Sequence, residues 1–124
     1  MTIVRWNDPL RTGSWVPPVD IYQHGDQEIV LTAELPDMTR EDIDITVDNR
    51  TLTIRGEKKV ASEVTEEGVH RLERRYGAFS RSFSLPQTVD TAQVGAEYRN
   101  GVLTVRLPLR EEAKPRQIKV TAAA

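Results

Sequence analysis

At 124 residues the chain is long enough for one domain that buries roughly two-thirds of its unfolded surface. Its 17 basic and 19 acidic residues sum to −2 with no lysine- and arginine-rich run, which argues against nucleic acid as a partner. The absence of cysteine removes disulfides, thiol nucleophiles and thiolate metal sites, and only 6% aromatic content makes the core aliphatic.

The opening MTIVRWNDPLR lacks an apolar stretch of signal-peptide length, and no later stretch is apolar for long enough to span a membrane. A cytoplasmic protein is the expectation. From there the chain alternates with a two-residue period. Ile29, Leu31, Ala33 and Leu35 share one face of EIVLTAEL, and Ile43, Ile45 and Val47 share one face of DIDITVD. Phe79, Phe83 and Leu85 oppose three serines in FSRSFSL, and Leu103, Val105 and Leu107 line up in VLTVRL. These are half-buried strands separated by turns at His24-Gly25-Asp26, Leu35-Pro36, Asp48-Asn49, Leu85-Pro86 and Asn100-Gly101. Asn100-Gly101 is the strongest hairpin signal, because a type I′ turn needs positive φ at both central residues. The pattern predicts an all-β, immunoglobulin-like antiparallel sandwich of about seven or eight strands. Thr39 to Asp42 has the chemistry to cap a single helical turn.

The segment IDITVDNRTLTIR (43–55) aligns without gaps to VGAEYRNGVLTVR (94–106), and each follows a Leu-Pro. Two equivalent hairpins are the reading, with 43–48 and 94–99 in comparable edge positions. Residues 56–77 behave differently. Their first part is charged without alternation and reads as an exposed loop. VHRLERR (69–75) is strand-like with charges on both faces, so it does not fit inside a sandwich. It either pairs with a sheet edge of another subunit or folds back as an exposed edge strand. In the tail KPRQIKVTAAA, Ile118 and Val120 share one face of an extended strand, poised to add to a sheet of their own subunit or of a neighbour.

Signals for catalysis are weak: the two histidines, His24 and His70, accompany no nucleophile turn, and Ser80, Ser82 and Ser84 have the pattern of a solvated sheet face. No cofactor or metal is expected; Asp42, Asp44 and Asp48 alternate on the wet face of a strand.

VPPVDIYQ, LPDMTREDIDITVDNRTLTIRGEKK, HRLERRYGAFSRSFSLP and AEYRNGVLTVRLP together resemble the small heat-shock protein family and its α-crystallin domain. The stretch from Ala96 to Leu103 is similar to the family's Ala-x-x-x-Asn-Gly-Val-Leu signature, and RQIKV to its terminal Ile-x-Ile/Val motif. The long loop ending in ERRYGAFSR resembles the bacterial and plant type. The resemblance divides the chain into an N-terminal arm (1–14), an α-crystallin domain (15–109) and a C-terminal extension (110–124), with both extensions flexible. It implies an ATP-independent holdase that keeps partly unfolded clients from aggregating and passes them to ATP-dependent refolding chaperones. It implies a homodimer by strand exchange, 69–75 pairing with the partner's 19–23, which engages Val19, Ile21, Val69, Arg71, Glu73 and Arg75. A higher homo-oligomer follows if Ile118 and Val120 insert into a groove between 43–48 and 94–99, with Ile45, Val47, Val94 and Ala96 as its candidate lining. Family members usually carry a longer arm; here Ile3, Val4, Trp6 and Leu10 are its apolar groups. The competing function is a co-chaperone-like sandwich adaptor docking on one defined protein partner.

Overall fold

The computed structural model describes residues 15–123. Seven strands form: β1 (Val19–His24), β2 (Glu28–Glu34), β3 (Ile43–Asp48), β4 (Thr51–Lys58), β5 (Gly77–Ser84), β6 (Gly95–Arg99) and β7 (Val102–Pro108). They make one four-stranded sheet in the order β1-β2-β7-β6 and one three-stranded sheet in the order β3-β4-β5. All pairings are antiparallel. The alternating aliphatics meet between the sheets. Leu31, Ala33 and Leu35 from β2 and its exit pack with Leu52 and Ile54 of β4, Phe79 of β5, and Leu103, Val105 and Leu107 of β7. The expected single turn is present as a 3₁₀ turn, Arg40–Asp42, closed by a capping box between Thr39 and Asp42.

The sequence echo is a structural one. Without β1, the sheets β2-β7-β6 and β5-β4-β3 are equivalent, and Glu34 opposite Val102 corresponds to Ser84 opposite Thr51. Both hairpins turn through two residues of positive φ, Asn49 (50°) with Arg50 (58°) and Asn100 (54°) with Gly101 (77°), as a type I′ loop requires. The two units lock by exchange. Leu35 donates its N–H to the Gly101 carbonyl and Leu85 donates to the Arg50 carbonyl, each at 2.8 Å. Each Leu-Pro corner is thereby clasped by the turn of the other unit's hairpin.

One expectation is corrected. The charged stretch after Gly56 does not begin as an exposed loop: β4 runs on through Lys58, which is buried. The strand period places Lys58 on the same side as Leu52 and Ile54, so the core-facing parity wins over its charge.

Arg50 tolerates its left-handed backbone because its guanidinium is engaged, donating to the carbonyls of Pro86 and Val89. At Gly101 there is no such room: a β-carbon would lie 3.2 Å from the Pro36 Cα. Gly101→Val should therefore cost about 1–3 kcal/mol through backbone strain and crowding. The melting temperature of the folded chain should fall by roughly 5–15 °C; an unchanged melt would refute this account of the turn.

Candidate functional site

Because β2 faces β5 across the sandwich, the two sheets end unequally. At one end β3 and β6, the first strands of the two hairpins, are both edge strands. A groove of about 310 Å³ runs between them, walled by Ile43, Ile45, Ala96, Tyr98 and Leu103, with Arg40 and Glu97 at its rim. Tyr98 anchors one wall: its hydroxyl donates to the Leu35 carbonyl and accepts from the Met38 N–H at 3.3 Å. Of the four sequence candidates, Ile45 and Ala96 line this groove together. Val47 and Val94 share their faces but pack against the core further along. Ile43 and Tyr98 were missed although the same alternation marks them, one step from Ile45 and from Ala96.

At the other end β1 overhangs. Ile21 lies on the side of β1 that carries Val19, opposite Leu31, but the facing sheet has no fourth strand to cover it, and it is 51% exposed. Tyr22 on the opposite side is 52% exposed. Between this overhang and β5, Trp15 is buried. Its indole N–H donates to the Gly77 carbonyl at 2.9 Å and its ring meets Phe79 edge-on at 5.2 Å. Arg81, on the inward parity of β5, donates to the Pro17 carbonyl at 2.9 Å.

Residues 69–75 form no strand within this chain. Val69 is half-buried, and Arg71, Glu73 and Arg75 are exposed, with Arg71 and Glu73 paired to each other at 2.8 Å. Counted back from Leu85-Pro86, this segment holds the position that β1 holds before Leu35-Pro36. It is therefore a strand position of the second unit without a strand partner in the described chain. The segment's root is fixed where Arg74 donates to the Asp37 carboxylate at 2.7 Å and stacks over Tyr76 at 5.6 Å. After β7 the chain makes a 3₁₀ turn, Glu111–Ala113, and Lys114 reaches Gln27 and Glu111. Beyond it Ile118 and Val120 are 76% and 90% exposed and pair with no strand. The apolar residues of 1–14 lie outside the described residues.

Among those residues no group of histidines and carboxylates is placed to hold a metal ion, and no helix is long and apolar enough to cross a membrane. What the described residues offer instead is edge strands with apolar residues beside them and a tail whose Ile118 and Val120 pair with no strand.

The profile of the Hsp20/alpha crystallin family matches residues 21–121. The chain belongs to that family. It is 39% identical over 105 residues to small heat shock protein C4 of Rickettsia felis, covering 85% of this chain and 64% of that protein. It is 45% identical over 92 residues to the 17.8 kDa class I heat shock protein of Arabidopsis thaliana, covering 73% of this chain and 59% of that protein. A crystal structure of a small heat-shock protein from Xylella fastidiosa, described as having a distinct high order structure, superposes with a TM-score of 0.76. Its sequence is 39% identical, and the match covers 89% of this chain and all of that one. The sandwich is thus an α-crystallin domain, as the motifs indicated. The chain spans less than two-thirds of the length of these two relatives.

The Arg74 guanidinium, by hydrogen bond and charge, holds the Asp37 carboxyl below the usual aspartate value. A carboxyl NMR titration should find Asp37 protonating below an ordinary aspartate, and Arg74→Gln should return it there. The pair's contribution to stability is present above the ordinary aspartate value and is lost as the pH falls through the depressed one. Salt should weaken it, because both groups lie at the surface.

Proposed function

We propose that this chain is an ATP-independent chaperone that holds partly unfolded proteins and prevents their aggregation. The observation that carries the reading is apolar surface that the single chain leaves exposed, in a member of the Hsp20/alpha crystallin family: Ile21 and Tyr22 on β1, and Ile118 and Val120 in the tail. All four are open to clients whenever a subunit is released from its neighbours. Unfolded chains offer the matching chemistry of aliphatic side chains and unpaired backbone. No nucleotide is required, because binding of this kind draws on burial alone.

Two assembly contacts belong to the proposal. Segment 69–75 adds as a strand to the outer edge of a partner's β1, bringing Val69, Arg71, Glu73 and Arg75 beside Val19 and Ile21. This makes a homodimer. The tail of another dimer lies in the groove between β3 and β6, with Ile118 and Val120 against Ile43, Ile45, Ala96 and Tyr98, and makes a higher homo-oligomer. Burying the two tail side chains contributes about 3–6 kcal/mol before the cost of ordering the tail. Each tail is therefore weak alone, and several tails acting together hold an assembly whose subunits still exchange. Held clients pass to ATP-dependent refolding chaperones. The proposed location is the cytoplasm.

Native mass tests the assembly. The parent should exceed a dimer and Ile118→Ala/Val120→Ala should fall to a dimer; equal masses would exclude the tail as the link. Light scattering from a heated client tests the activity. Equimolar protein without ATP should suppress the signal, while an undiminished signal at severalfold excess would favour an adaptor for one defined partner.

A further inference from the structure

The internal two-fold gives each strand position a counterpart, and one pair is mismatched in kind. Lys58 ends β4 at the position where Leu109 follows β7 in the second unit. Leu109 packs on the core as an apolar residue should. Lys58 is 7% exposed and is the one charged side chain buried among the described residues. Its ammonium stands 5.4 Å over the Trp15 ring and has no hydrogen bond or ion pair among those residues. Burial and the like charge of Arg74 push it below the usual lysine range, outweighing the attraction of Asp37. The stem of Lys58 is buried while its ammonium is not among the buried unpartnered atoms, so the charge stays accessible to an anion at the end of a covered chain.

Lys58 opens onto a cavity of about 680 Å³ whose other walls include Trp15, Pro18, Pro36, Arg75 and Val102. Arg75, on the rim, makes no ion pair among the described residues. Glu34 also borders the cavity, so its charged lining, two cations and one carboxylate, carries one net positive charge. That balance suits a singly charged anion better than a phosphate dianion. The indole, the two prolines and Val102 suit an apolar group beside it.

We propose that this cavity is a carboxylate-binding site for an acidic side chain flanked by apolar residues, held by Lys58 and Arg75 against Trp15. The site needs none of the residues of the β3–β6 groove, but it shares Arg75 with the segment proposed to pair with a partner's β1.

The test uses the full chain carrying Trp6→Phe, which leaves Trp15 as the sole indole, and Asp8→Asn, which removes the carboxylate of residues 1–14. The probe is acetyl-valyl-glutamyl-valine amide, followed by Trp15 emission. The glutamyl peptide should shift the emission, and its glutaminyl counterpart should bind about tenfold more weakly or worse, as expected for a lost charged hydrogen bond. Lys58→Met should abolish the response while melting no lower than the parent. Should that variant fail to fold, Arg75→Gln carries the test with a severalfold loss at unchanged native mass, which separates the cavity from the pairing of 69–75 with a partner's β1. Equal responses to the two peptides, a phosphate response as strong as the glutamyl one, or unchanged binding in the folded variants would each overturn the site. Native mass identifies the source. A mass that falls as the peptide saturates assigns the resident carboxylate to a second copy of this chain. A constant mass assigns it to a foreign polypeptide, and glutarate binding as well as the peptide would overturn the site, because the apolar flanks would then contribute nothing.

Discussion

Two backbone hydrogen bonds set the geometry on which the other features depend. Leu35 to Gly101 and Leu85 to Arg50 join each Leu-Pro corner to the opposite hairpin. Proline has no N–H and fixes its own φ, so the chain cannot continue the ladder at either corner and crosses to the other sheet. The crossing strands are β3 and β6, which leaves both at sheet edges on the same end of the sandwich. The groove between them is thus a consequence of how the halves interlock. Tyr98 belongs both to its wall and, through its bond to the Leu35 carbonyl, to the corner.

The two halves differ where the surface has most to offer. The first unit has β1 on its sheet; the equivalent stretch of the second, 69–74, is drawn away to Asp37 and Tyr76 through Arg74. Trp15 and Pro17 lie against β5 instead, bonded to Gly77 and Arg81. A three-stranded sheet therefore faces a four-stranded one, and the overhanging β1 keeps Ile21 exposed on a face that would otherwise be core. Lys58 is the other departure, a cation where the second unit has Leu109. In a fold held by repetition, such breaks mark the places where packing has yielded to another demand.

Most of the fold was legible because strand alternation and turn chemistry are local. The faces of β2, β3, β5 and β7 follow from a two-residue period, and the hairpin at Asn100-Gly101 from positive φ. Local signals run out where parity and charge conflict. Lys58 reads as a loop residue by its charged neighbours Glu57 and Lys59, yet its parity with Leu52 and Ile54 places it inside. Arg81 is a similar case between Phe79 and Phe83. The groove was legible as a pair of strands but not as a set of walls. Which residues of an alternating face line a cleft depends on where the opposite sheet ends, and that left Ile45 and Ala96 in the groove but Val47 and Val94 beside the core.

The sequence by itself determined the class of fold, the hairpins, their repetition and the family, since each rests on short-range pattern or on motifs read in order. It also marked 69–75 and the tail as strand-like stretches without a place in the sandwich. Only the tertiary structure decided which residues of β3 and β6 wall the groove, that β1 overhangs, and that Lys58 stands buried over Trp15. Each of those facts arises between segments tens of residues apart, brought together by burial of a shared core, and no local spacing encodes such distances.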